Sequence, residues 1–231
     1  MSGFDKIVTV AIAGLTLALG AGAVSAQDAK KGAGSNPAGA AWSAATTPET
    51  STLDAKQTEI VKRVGVYFND LANMRGSFVQ TSADNKRMRG KFYVKKPGRF
   101  RFDYALPSKQ VILSDGRFLR IYDLDLDKED PFELDNTPFR ILLKADVDLL
   151  RDARINEAQE ADDVIIVALQ DKSPDTPGRI KVVLVKKPVL ELKEWVTTDA
   201  QGLDTRMELS DINRSDDIDV GLFKPLQLKQ K

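Results

Sequence analysis

The densest cluster of side chains that could do chemistry is Asp123, Asp125, Asp127, Glu129 and Asp130. Alternating carboxylates of this kind could ligate calcium. A calcium loop opening at Asp123 needs glycine at its sixth position and glutamate at its twelfth, where Lys128 and Leu134 stand. The cluster therefore reads as the solvated tip or face of a hairpin. Carboxylate pairs can hydrolyse glycosides unaided, but nothing in the pattern draws two of the 34 acids into one apolar pocket. A serine with a lysine base needs Ser-x-x-Lys at a helix start; Ser82 leads to Asn85 and Ser173 to Thr176 instead. There is no cysteine and no histidine, which removes disulfides, thiolate or imidazole metal sites, cysteine nucleophiles and histidine-based triads. The expectation is a protein that is not an enzyme, with no catalytic residue, no metal and no cofactor.

A second candidate is the basic run Lys86, Arg87, Arg89, Lys91, Lys95, Lys96, Arg99 and Arg101, interleaved with aromatics. Such a pattern can form a platform for single-stranded nucleic acid. With 34 basic and 34 acidic residues there is no global field to steer nucleic acid, and an export signal argues against that partner. The period is two. Met88, Gly90, Phe92 and Val94 take one face, against Arg89, Lys91, Tyr93 and Lys95; Phe100, Phe102 and Tyr104 alternate with Arg99, Arg101 and Asp103. The basics then form the wet face of a sheet. The rings of Phe92, Phe100, Phe102 and Tyr104, with Phe78 before them, share the other. From the residues alone, that aromatic face is either ordinary core beneath a helix or the wall of a greasy cavity under a curved sheet.

The elements that position these rings follow from periodicity. Ile60, Val61, Val64, Tyr67, Phe68 and Leu71 recur at spacings of three and four, one apolar stripe on a helix that Thr52 or Asp54 could cap. Strands follow at 87–95 and 99–104 around the turn Lys96-Pro97-Gly98, and at 111–113 and 118–122 around Ser114-Asp115-Gly116. Later strand-like runs cover 164–169, 180–185, 192–196 and 205–209. Two short helices interrupt the series. Thr137-Pro138 opens 139–144 with threonine as cap, and Asp148 caps 149–154. The fold expected is mainly β with some α: a single curved antiparallel sheet with helices on one side.

Residues 1–26 read as a secretory signal. Lys6 gives the positive start, 7–19 is an apolar run, and Val24-Ser25-Ala26 supplies small residues for cleavage. The run is shorter than the ~20 apolar residues that a spanning helix needs. Residues 27–53, rich in Ala, Gly, Ser, Thr and Pro, read as a flexible leader. The folded domain is expected over 54–231. Export without cysteine fits the bacterial periplasm.

The ordered set Phe78-Val79-Gln80, the run from Gly90 to Tyr104, then Pro107, Ser114-Asp115-Gly116, Ile121-Tyr122-Asp123 and Thr137-Pro138-Phe139 closely resembles the periplasmic outer-membrane lipoprotein carrier family (LolA). The resemblance runs from about residue 60 to about Phe223. It implies an incomplete antiparallel β-barrel covered by a lid of short α-helices, enclosing a hydrophobic cavity. It also implies a monomeric periplasmic chaperone. Such a carrier takes acylated lipoproteins from an inner-membrane lipoprotein-releasing ABC transporter to an outer-membrane acceptor or the membrane itself. Acyl-binding residues implied are Phe78, Phe92, Phe100, Phe102, Tyr104, Phe139 and Leu142. The family carries arginine before the turn proline, where it bonds lid backbone and latches the lid. Lys96 stands there, so Lys96 is the implied latch, its ammonium meeting the carbonyls of the segment opening at Thr137-Pro138. Two other readings stay open: a sensor of lipids or lipoproteins on the same fold, and an enzyme acting on lipid or glycan.

The export reading has a direct check. Mass spectrometry of the periplasmic protein is expected to find an N-terminus at Gln27 without acylation; an intact Met1, or recovery in the membrane pellet after a salt wash, contradicts it.

Overall fold

The computed structural model describes residues 53–174 and 176–228. The segment read as a signal peptide, and the leader up to residue 52, lie outside the described residues. Leu53 is half-buried and packs against the core. Helix α1 (Ala55–Asn69) begins at Asp54, whose carboxylate accepts from the Gln57 N–H at 2.7 Å while the Gln57 side chain accepts from the Asp54 N–H at 3.0 Å. This reciprocal cap satisfies two donors that a helix start leaves orphaned. The stripe Ile60, Val61, Val64, Tyr67 and Phe68 is buried. The Tyr67 hydroxyl accepts from the Leu192 N–H at 2.9 Å and so ties the helix to the sheet.

The sheet has eleven antiparallel strands: β1 (Asn73–Thr81), β2 (Arg87–Lys95), β3 (Arg99–Tyr104), β4 (Gln110–Asp115), β5 (Phe118–Asp123), β6 (Lys128–Glu133), β7 (Ala153–Glu160), β8 (Val164–Asp171), β9 (Arg179–Val185), β10 (Glu191–Thr198) and β11 (Asp204–Asn213). Spatially the order is β6-β5-β4-β3-β2-β1-β11-β10-β9-β8-β7. Two meanders are thus joined through the β1–β11 pair, and β6 and β7 are the edges. The curvature is strong. Phe102 on β3 and Trp195 on β10 are four strand spacings apart, about 19 Å in a flat sheet at ~4.8 Å per strand. Their ring centroids lie 6.0 Å apart. The sheet therefore folds round on itself without closing, and its concave face holds one continuous core.

Between the edges runs the connection from β6 to β7: a single 3-10 turn (Leu134–Asn136), α2 (Arg140–Leu143) and α3 (Leu149–Asp152). A chain that leaves one edge and must start the other has to cross the gap between them. The short helices lie there for that topological reason. Asp148 caps α3 through the Arg151 N–H at 3.0 Å, as expected. Thr137 does not cap α2: its hydroxyl donates to the Leu134 carbonyl at 2.8 Å and closes the 3-10 turn, leaving α2 without a side-chain cap.

Three strands escape the periodicity reading. β1 carries a bulge between Arg75 and Ser77 that interrupts its alternation. β6 contains Pro131 and four charged residues, the composition of a protected edge strand, which resembles a loop. β7 starts at Ala153, where the second short helix stops two residues earlier than the reading to 154. The acidic cluster lies on the β5–β6 hairpin. Asp123 accepts from the N–H groups of Asp125 and Leu126, Asp125 pairs with Lys109, and Glu129 pairs with Arg120. Among the described residues no group of three or more acidic residues is placed to hold a metal ion.

Two rings depend on glycines opposite them. Phe78 pairs with Gly90 across β1 and β2, and Phe92 with Gly76. A Cβ at Gly90 would meet the Asp103 carbonyl oxygen at 2.1 Å and the Phe78 ring at 2.7 Å. Gly90→Ala is expected to lower stability by about 1–3 kcal/mol, read as a lower denaturant midpoint at unchanged slope; an unchanged midpoint contradicts this packing.

Candidate functional site: an apolar cavity under a helical lid

Alternation puts Phe100, Phe102 and Tyr104 of β3 on the concave face, all at most 8% exposed. Opposite them stand Ile180 and Val182 of β9, Leu192 and Trp195 of β10, and Met207 of β11. Phe68, Leu71 and Met74 close one end, and Phe139, Leu142 and Leu143 of the lid close the top. Apart from Tyr104, Thr197 and Thr205, every lining side chain is apolar. The remaining space is about 70 Å³, room for a few waters.

The implied acyl-binding residues divide into two groups. Phe100, Phe102, Tyr104, Phe139 and Leu142 face the cavity. Phe78 and Phe92 lie behind them: Phe78 meets Phe102 and Tyr104 edge-on at 5.3 and 5.0 Å, and Phe92 stacks on Phe102 at 6.0 Å. These two rings fix where the cavity-facing rings sit. Phe139 reaches down from the lid between Phe100 at 6.1 Å and Trp195 at 6.3 Å, so its ring fills space inside the cavity. The residues that the resemblance implies do not include the wall from β9 to β11. Its signal was present: Ile180 and Val182 flank Lys181, and Met207 and Leu209 flank Glu208. Which strands face β3 depends on the curvature, and no local pattern states that.

Polar groups in the wall are satisfied by one another. The Tyr104 hydroxyl donates to Gln80 Oε1, and Gln80 Nε2 donates to Ser82 Oγ at 3.4 Å. Burial pushes the Tyr104 phenol well up, so it remains a neutral donor.

The lid is fastened at several points. The Asn69 carboxamide brackets Val147, donating to its carbonyl at 2.9 Å and accepting its N–H at 2.8 Å. The N–H of Gly98 in the β2–β3 turn donates to the Leu143 carbonyl at 2.9 Å. Gly98 has φ +70°, and its Cα–H face packs on Gly116 of the next turn, where a Cβ would meet the Gly116 Cα at 2.9 Å. Arg140 of α2 grips Asp171 at the end of β8 through Nε and Nη2, the latter at 2.7 Å. Lys144 meets Asp152 at 2.7 Å. The Lys96 ammonium, expected on the carbonyls after Thr137, donates instead to the Phe68 carbonyl. That oxygen belongs to the last turn of α1, where carbonyls lack intrahelical partners and attract cations. Burial pushes Lys96 below the usual lysine range, and the Asp146 carboxylate opposes the shift. The turn that carries Lys96 does hold the lid, but by the Gly98 backbone.

Residues 69–226 match the family described as outer membrane lipoprotein carrier protein LolA. An outer-membrane lipoprotein carrier protein of Chromohalobacter salexigens is 28% identical over 176 residues, covering 72% of this chain and 82% of that protein. Its counterpart from Chromobacterium violaceum is 29% identical over 163 residues, covering 67% and 77%. A crystal structure of a LolA superfamily protein, NE2245 from Nitrosomonas europaea, aligns with a TM-score of 0.40 at 10% identity, covering 71% of this chain and 97% of that one. The chain belongs to the outer membrane lipoprotein carrier protein family, LolA.

Proposed function

We propose that this protein is a periplasmic chaperone that binds the acyl chains of lipoproteins in the concave cavity. It carries them from an inner-membrane ABC transporter to an outer-membrane acceptor or the membrane itself. The observation that carries the reading is an almost wholly apolar cavity under a crossover lid, in a chain of the carrier family. Each methylene kept from water is worth about 0.8 kcal/mol, so acyl chains cross an aqueous compartment only under cover. Relatives named as lipoprotein carriers support the cargo class. Among the described residues no helix is long and apolar enough to cross a membrane.

A cavity of about 70 Å³ is far too small for an acyl chain, so loading requires the lid to move. Phe139, Leu142 and Leu143 face the interior, and acyl chains take their place. Exchange of one apolar filler for another offsets part of the cost of opening, which a carrier needs in order to release what it binds. Met74 and Met207, unbranched and adaptable, suit a wall that must repack around chains of different length. No step of this cycle makes or breaks a covalent bond, so it needs no catalytic group and no cofactor.

The test is binding of an environment-sensitive apolar dye to the mature chain and to Phe100→Glu. Phe100 is 3% exposed and touches the lid ring. An unpaired carboxylate there is expected to weaken binding by about tenfold or more. Equal binding by both proteins, with unchanged circular dichroism, contradicts the cavity as the site.

A further inference from the structure

The fastenings of the lid differ in kind. Asn69 holds Val147, which lies beyond α2, with two neutral bonds. Gly98 holds Leu143 with one neutral backbone bond. Lys144 and Asp152 both lie in the connection between the sheet edges, so their bond does not join it to the sheet. Arg140 and Asp171 are the ion pair that joins α2 itself to the sheet among the described residues. The Asp171 side chain is fully buried and that of Arg140 is 28% exposed. Burial alone would raise the Asp171 carboxyl, but Arg140 and the Ser173 N–H outweigh it and hold it below the usual carboxylate range.

We propose that the Arg140–Asp171 pair is the lid latch of this protein, positioning α2 over the cavity and coupling its release to cargo entry. Three features carry this, and it rests on the carrier reading above. First, opening α2 strips a buried carboxylate of its charge partner, a far larger penalty than parting a neutral bond. Second, the Ser173 N–H, at 2.8 Å from Oδ1, keeps the carboxylate oriented when Arg140 leaves, so the latch can re-form without searching. Third, Arg140 follows Phe139 in the chain, and the Phe139 ring lies in the cavity between Phe100 and Trp195. An acyl chain that displaces the ring also moves the stretch of backbone that carries Arg140, and a two-bonded fork tolerates little misalignment. With Lys96 engaged on α1, the charged latch sits on the lid itself and reaches the far half of the sheet.

Amide hydrogen exchange over 139–144 reads the latch, with the β9 amides of 180–185 as internal reference, in the full mature chain. Arg140→Gln and Asp171→Asn are each expected to raise lid exchange by about tenfold or more, the equilibrium factor carried by a charge-assisted hydrogen bond, and to leave β9 exchange unchanged. The double variant is expected to open no further than either single one, because both remove the same interaction. Arg140→Lys, which keeps charge but loses the fork, is expected to fall between wild type and Arg140→Gln; should a single variant fail to fold, this variant must still raise lid exchange. Unchanged lid exchange, or additive effects in the double variant, overturns the latch. Uptake of a dansyl-labelled fatty acid is measured in parallel and is expected to be faster in the latch variants. Raised lid exchange with no fatty acid bound by any form leaves the latch standing and overturns the carrier reading instead.

Discussion

The sheet curves enough to bring β3 and β10 into ring contact, yet it does not close. Everything functional depends on that gap. Closing an antiparallel sheet would pair β6 with β7 and leave the interior to be packed shut by side chains. Because the two edges stay apart, the connection between them must span the opening, and the residues of that connection become a cover that can move. The edges themselves are protected differently: Pro131 and four charged residues on β6, and the packing of α1 and α3 against β7.

The concave face solves two problems with one set of residues. Its apolar side chains supply the burial that holds the domain together, and the same side chains form the wall that faces the lid. The two roles are separated by depth. Phe78 and Phe92 lie against glycines and are fully enclosed, so they hold the sheet's curvature whatever the cavity contains. Phe100, Phe102 and Trp195 form the surface above them, where the lid ring meets Phe100 at a tilt and Trp195 edge-on, contacts easily exchanged for contact with another apolar group. Rigid rings below and replaceable ones above let the lid move without loosening the sheet.

Alternation at 87–104 was legible because side-chain direction in a strand is local: Phe100, Phe102 and Tyr104 had to share a face, and they do. The α1 stripe was legible for the same reason, and of its two candidate caps, Thr52 and Asp54, Asp54 is the one that caps α1. What escaped is non-local. Trp195 and Met207 reach the cavity only through curvature summed over several strands. β6 was hidden by the proline and charges that protect an edge, and Thr137, which looks like a helix cap before Pro138, is taken by the Leu134 carbonyl. Asp171 stands two residues past the strand-like run of 164–169, and its burial arises because β8 ends beneath the lid. The ammonium of Lys96 found the open carbonyls of α1, which lie nearer than the segment that the family pattern implied.

The claim on which the rest stands is that acyl chains lie inside the concave cavity. The direct measurement is quenching of Trp195 fluorescence by a triacylated lipopeptide with brominated acyl chains, in the Trp42→Phe protein so that Trp195 is the one remaining tryptophan. Bromine quenches only at contact range, and Trp195 is a wall residue 8% exposed. The account predicts saturable quenching that the unbrominated lipopeptide reverses by competition. Saturable binding of the lipopeptide with Trp195 emission untouched would contradict it.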